Sequence, residues 1–143
     1  VKRLHSRYPN LDIHLHADTS EVLVQADPKR IGQVIENLVS NAVKYAPTSP
    51  LEITLKKSGD QLIISVRDCG PGIPAEFARQ IFKRFYRAPG AKDQVRGSGL
   101  GLYICEQIVH AHGGEIRVES SVGKGAEFIV ALPYQAVSTP VTT

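Results

Sequence analysis

Residues 51–72 read LEITLKKSGDQLIISVRDCGPG. Two runs rich in aliphatic and β-branched residues, 51–57 and 61–67, flank Ser58-Gly59-Asp60, so the stretch predicts a β-hairpin with its turn at those three residues. Leu62, Ile64 and Val66 fall on one face of the second strand. That strand runs into Arg67-Asp68-Cys69-Gly70-Pro71-Gly72, where a carboxylate at the end of an apolar strand is followed by two glycines in a tight turn.

Upstream, Leu11, Ile13 and Leu15 alternate with Asp12, His14 and His16, the pattern of a half-buried strand. A second strand, Glu21 to Ala26, is expected after a turn at Asp18–Ser20. Asp27-Pro28 then opens a helix, with Asp as N-cap and Pro at the first helical position. Ile31, Val34, Ile35, Leu38, Val39 and Ala42 recur at helical spacing, and the helix ends near Tyr45-Ala46, before Pro47 and Pro50. Downstream, residues 74–86 predict short helical pieces carrying Phe77, Ile81, Phe82 and Phe85. Residues 87–98 have loop composition and form a candidate lid. A second long helix is expected from Leu100 to His112, stopped by Gly113-Gly114. Strand 115–120, a turn at Gly123 and Gly125, and strand 126–132 complete the order. Such an order predicts an α/β (α+β) sandwich: a mixed, mainly antiparallel sheet with about three helices on one face. Residues 1–134 are expected to form one domain and 135–143 a flexible C-terminal tail.

The chain has 143 residues, 42% of them apolar and 22% charged, which is ordinary for a globular domain. A net charge of +3 suits an anionic ligand but is too small to indicate nucleic-acid binding. Two cysteines, Cys69 and Cys105, fit a reduced cytosolic domain better than a disulfide scaffold. No apolar run approaches the roughly 20 residues of a membrane span, and no signal peptide opens the sequence. The start at Val1 and the lack of Met predict a piece of a longer protein with more chain upstream.

Any phosphate chemistry must do without a P-loop, because G-x-x-x-x-G-K-[ST] does not occur. At roughly 100° per residue, Asn37, Asn41 and Lys44 fall together on the flank of the first helix's apolar stripe. Amide oxygens there suit Mg²⁺, which takes oxygen ligands and often shares them with nucleotide phosphates. The same residues also fit the plain polar rim of an amphipathic helix. Asp68, acceptor-only when ionised, suits the exocyclic amine of adenine and repels the carbonyl of guanine. D-x-G-x-G is equally ordinary turn chemistry. Gly97-Ser98-Gly99-Leu100-Gly101-Leu102 opens the second helix, where backbone N–H groups bind phosphate oxygens; packing alone would also use such glycines.

In their order along the chain, NLVSN (37–41), DCGPG (68–72), IFKRFYR (81–87) and GSGLGL (97–102) resemble the N, G1, F and G2 boxes of sensor histidine kinases. Those boxes belong to the catalytic ATP-binding domain, of the wider superfamily shared with gyrase, heat-shock chaperone and mismatch-repair ATPases. The resemblance runs from about Leu11 to Pro133 and includes the GGEIRVES and GKGAEF segments of the ending. It implies a Bergerat-type ATP-binding fold with ATP and Mg²⁺ as cofactors. It implies Asn41 as the Mg²⁺ ligand with Asn37 assisting, and Lys44 and Tyr45 on the phosphate and ribose side. Asp68 would hold the adenine amine, with Gly70, Gly72 and Ile73 shaping that wall. Phe82 and Phe85 would anchor the lid, and Arg87 and Arg96 would reach phosphates from it. Gly97, Ser98, Gly99, Leu100, Gly101 and Leu102 would cradle them. Catalytic roles would fall to Asn37, Lys44, Arg87 and Arg96.

The ATPase relatives carry a water-activating Glu four residues before the metal-binding Asn. Asn37 stands there in this chain, and Glu36 points roughly 100° away, which favours transfer over hydrolysis. The phosphate acceptor implied by the resemblance is a His on a dimerisation domain, and none of the five His here fits it. The implied partners are ATP or ADP, that domain and a response regulator, with no nucleic acid and no membrane insertion of this piece. A monomeric, cytoplasmic domain is expected, of a parent that can be membrane-anchored. A nucleotide-sensing module without transfer is the alternative. His14 and His16 read as surface residues before metal ligands, and Cys69 as a small residue at the adenine wall open to alkylation.

Overall fold

The computed structural model describes residues 12–17, 28–46, 49–78, 80–83, 101–120 and 122–133. The expected strand Glu21–Ala26, the Asp27 cap, the 87–98 segment and the 135–143 tail lie outside them. Among the described residues five strands form one sheet: β1 (Ile13–Ala17), β2 (Leu51–Ser58), β3 (Gln61–Asp68), β4 (Glu115–Ser120) and β5 (Ala126–Pro133). Their order is β1-β2-β3-β5-β4. Only β1 and β2 run parallel; every other neighbouring pair is antiparallel. The helices among the described residues are α1 (Pro28–Tyr45), the single turn α2 (Ala75–Ala78) and α3 (Gly101–Ala111). Sheet and long helices match the sandwich predicted from the sequence, and of the short helical pieces expected over 74–86 the described residues hold the turn Ala75–Ala78.

The 18 residues of α1 span about 27 Å at 1.5 Å per residue. Its buried stripe is Val34, Leu38, Val39 and Ala42, flanked by the half-buried Ile31 and Ile35. From α3 come Cys105, Ile108 and Val109, and from the sheet Leu51, Ile53, Ile64, Val66, Ile116, Phe128, Val130 and Leu132. These side chains make one core between the helices and one sheet face, with period 3.6 on one side meeting period 2 on the other. Phe82 joins it edge-on to Phe128, ring centroids 6.1 Å apart at 88°. The helix α3 ends as its glycines predict. Gly114 N donates to Val109 O (2.9 Å), Gly113 N donates to His110 O (3.0 Å), and Gly113 takes φ 75°, the left-handed geometry of a Schellman cap.

Two departures from simple alternation follow from strand position. Leu15, expected on a buried face, is 45% exposed, because β1 is paired only with β2 among the described strands. Ser65, Ile129 and Ala131 are buried although they alternate with the core face. They sit on β3 and β5, whose neighbours on both sides shield positions that an edge strand would expose.

Phe128 is the largest fully buried side chain, so Phe128→Ala is expected to lower unfolding free energy by about 3–5 kcal/mol. Val122, 71% exposed in the β4–β5 turn, should tolerate Val122→Ser within about 0.5 kcal/mol. Urea unfolding of the two variants checks both.

Candidate active site

The apolar strand β3 delivers Asp68, its last residue, into a site where the side chain is only 7% exposed. Both described hydrogen bonds converge on Oδ1: Gly70 N donates at 2.9 Å and Ala126 N at 3.3 Å. Among the described residues nothing donates to Oδ2. A buried carboxylate completed on one oxygen alone is costly, and a donor from a ligand would relieve that cost.

The turn that follows is held on two sides. Cys69 N donates to Ser49 Oγ (2.8 Å), and that hydroxyl donates to Pro50 O (2.9 Å). Gly123 N donates to Pro71 O (2.8 Å), and Ile73 N donates to Ser120 Oγ (2.6 Å). Gly70 lies so close to α1 that a Cβ there would come within 2.5 Å of the Ala46 Cβ. Gly125, at φ 84°, presses its backbone onto the Asp68 carbonyl, where any Cβ would collide. The turn is therefore a rigid wall at the C-terminal end of α1.

Two and a half turns back along α1, Asn37 Nδ2 donates weakly (3.4 Å) to the carbonyl of Gly101, the first residue of α3. Below it, the fully buried Cys105 thiol bonds Val34 O at 3.7 Å. Burial pushes that thiol from 9.0 up to about 12, against an opposing pull from the Asn37 amide. A Cβ on Gly101 would meet no described atom within 4 Å, so described packing does not demand glycine there.

One helix thus brings three of the predicted segments together. Ala46, just past its end, meets Gly70, and its middle meets Gly101, about 14 Å away by helix rise. Asn41, half-buried, and Lys44, exposed, lie between them. Ile73 and Leu102 pack partly against the core, while Phe82 is buried in it. Gly72 takes φ 77° in the wall. Phe85, Arg87, Arg96, Gly97, Ser98, Gly99 and Leu100 lie outside the described residues, as does the side chain of Tyr45. No group of three or more His, Cys, Asp or Glu could hold a metal among the described residues. His14 Nε2 instead sits 3.0 Å from Asp12 Oδ1 at the surface. Ser49, Ser120 and Gly125 were not legible as site residues, because their partners lie up to 57 positions away.

Residues 26–136 match the family described as histidine kinase-, DNA gyrase B- and HSP90-like ATPase. The chain belongs to this HATPase_c family. It is 41% identical over 119 residues to the circadian input-output histidine kinase CikA of Synechococcus elongatus, covering 82% of this chain and 16% of CikA. The chain thus spans about a sixth of that relative's length. The catalytic domain of the histidine kinase ThkA superposes with a TM-score of 0.76 at 35% identity, covering 93% of this chain and 84% of that one. Full-length ShkA in complex with AMPPNP superposes at 0.81 and 26% identity, covering 98% of this chain and 29% of ShkA. This HATPase_c chain is the catalytic ATP-binding domain of the sensor histidine kinase type. None of its described helices is long and apolar enough to cross a membrane.

Exposed Cys69 and buried Cys105 should differ sharply towards a thiol reagent: one thiol reacts in the native protein and the second only on unfolding. Because folding raises the Cys105 pKa, its contribution to stability is complete below about 9 and is lost as pH rises towards about 12. Cys105→Ala should flatten that alkaline slope in denaturation curves. Equal labelling of both thiols in the native state would contradict this picture.

Proposed function

We propose that this domain binds Mg-ATP along α1 and presents the γ-phosphoryl group to a His acceptor on a dimerisation domain of the parent protein. The phosphoryl group would then pass to a response regulator; ThkA has been solved with one, TrrA. The observation that carries the reading is the buried Asp68 carboxylate, with Oδ1 engaged by backbone amides and Oδ2 without a donor among the described residues. Adenine offers an amine at that place and guanine a carbonyl, so a single buried acceptor selects between them.

Asn41, assisted by Asn37, would hold Mg²⁺ through amide oxygens, and the bound ion would neutralise phosphate charge. Lys44 adds a positive charge one turn further along α1. The amides opening α3 at Gly101 and Leu102 suit phosphate oxygens, and the preceding Gly97-Ser98-Gly99-Leu100 extends that cradle. Arg87 and Arg96, in the segment proposed as the lid, supply further charge. Transfer then rests on positioning and charge neutralisation, with little covalent work for the protein. Asn37 argues against hydrolysis. It is a neutral amide, unable to act as a base, and its nitrogen is engaged with Gly101.

Calorimetric titration with non-hydrolysable ATP and GTP analogues tests the base site. Asp68→Asn is expected to weaken ATP-analogue binding by roughly 10- to 100-fold with the melting temperature retained. Unchanged affinity contradicts the assignment. Asn41→Ala should remove the Mg²⁺ dependence of binding. Label from γ-labelled ATP should appear on a His of an added dimerisation domain, and release of free phosphate alone would contradict transfer.

A further inference from the structure

Three ties join the adenine wall to the β4–β5 hairpin, from residues about 50 positions apart. Ala126 N donates to Asp68 Oδ1, Gly123 N donates to Pro71 O, and Ile73 N donates to Ser120 Oγ. Only the last uses a hairpin side chain. The Ser120 hydroxyl is fully committed, because it accepts from Ile73 at 2.6 Å and donates to Gly125 O at 2.9 Å. Ser120 is also the strand partner of Ala126, the residue that donates to the carboxylate. One hydroxyl therefore fixes the far end of the wall and the Gly125–Ala126 segment that sets which carboxylate oxygen is used.

We infer that Ser120 is a positioning residue for base selectivity, holding Asp68 with Oδ2 turned to the ligand. The inference rests on the adenine reading of Asp68 proposed above. Removing the hydroxyl leaves the Ile73 N–H and the Gly125 C=O without partners in a half-buried place, so the hairpin shifts to find new ones. Its effect on the base is transmitted through Asp68. Phosphate binding at α3, beside the middle of α1 and about 14 Å from the wall, is expected to be untouched.

The test compares wild type, Ser120→Ala, Ser120→Thr and Ser120→Cys by titration with ATP and GTP analogues and with inorganic tripolyphosphate. Ser120→Ala is expected to lose about tenfold in ATP-analogue affinity, with ATP-over-GTP preference reduced and tripolyphosphate binding unchanged. Ser120→Thr, which keeps the hydroxyl on a β-branched residue suited to a strand, should restore both. In the Asp68→Asn background the Ser120→Ala loss should largely vanish, as expected for residues acting through one another. If Ser120→Ala folds poorly, the near-isosteric Ser120→Cys serves, with amide exchange at Ile73 and Ala126 rising above the rest of the sheet. Unchanged selectivity, losses that add to those of Asp68→Asn, or an equal loss for tripolyphosphate would overturn the inference. Wild-type protein that binds both purines equally would sink the adenine reading and this inference with it. Selective wild type beside an equally selective Ser120→Ala sinks only this one.

Discussion

Burying a carboxylate at the end of a central strand is the constraint around which this domain is arranged. Asp68 lies at the junction of β3 with its turn and is nearly sealed from water, so its charge must be met by hydrogen bonds. Two backbone amides meet it, and each brings a structural demand. The bond from Gly70 curls the turn back on the strand and brings it against Ala46, leaving no room for a side chain at 70. The bond from Ala126 ties β5 to the site and draws Gly125 onto the Asp68 carbonyl. Among the described residues both amides fall on one oxygen, and the other is the one proposed to accept from a ligand.

The second organising element is α1, which serves core and site with different faces. Its apolar stripe closes the core against β2, β3 and β5, while its flank carries Asn37, Asn41 and Lys44. Because the helix is stiff, contacts at Ala46 and Asn37 set the spacing between the wall at Asp68 and the start of α3. A spacing fixed by helix rise does not depend on loop conformation. Under the proposed function, that spacing would set the base end of a nucleotide apart from its phosphate end.

Much of this was legible in the residues, because it rests on local rules. The α1 stripe, the 51–68 hairpin and the glycine stop of α3 follow from periodicity, turn chemistry and capping. Asp68, Gly70 and Gly101 stood out through the order of the segments they belong to, because each segment alone is equally ordinary turn or packing chemistry. What spacing could not reveal is tertiary. Ser120 meets Ile73 across 47 positions, and Ala126 meets Asp68 across 58. Leu15 alternates like a core residue yet lies on a strand paired on one side, and Ile129 is buried on the face the pattern left open. Periodicity reports which residues share a face, whereas exposure depends on what the neighbouring strands cover.

The central claim is that one rigid helix sets a base end at Gly70 and a phosphate end at Gly101. Following the backbone amides of those two residues by NMR during titration tests it most directly. Adenosine should move the Gly70 amide alone, tripolyphosphate with Mg²⁺ the Gly101 amide alone, and a non-hydrolysable ATP analogue both at once. Adenosine that moves only Gly101, or an ATP analogue that leaves either amide unmoved, would contradict the account.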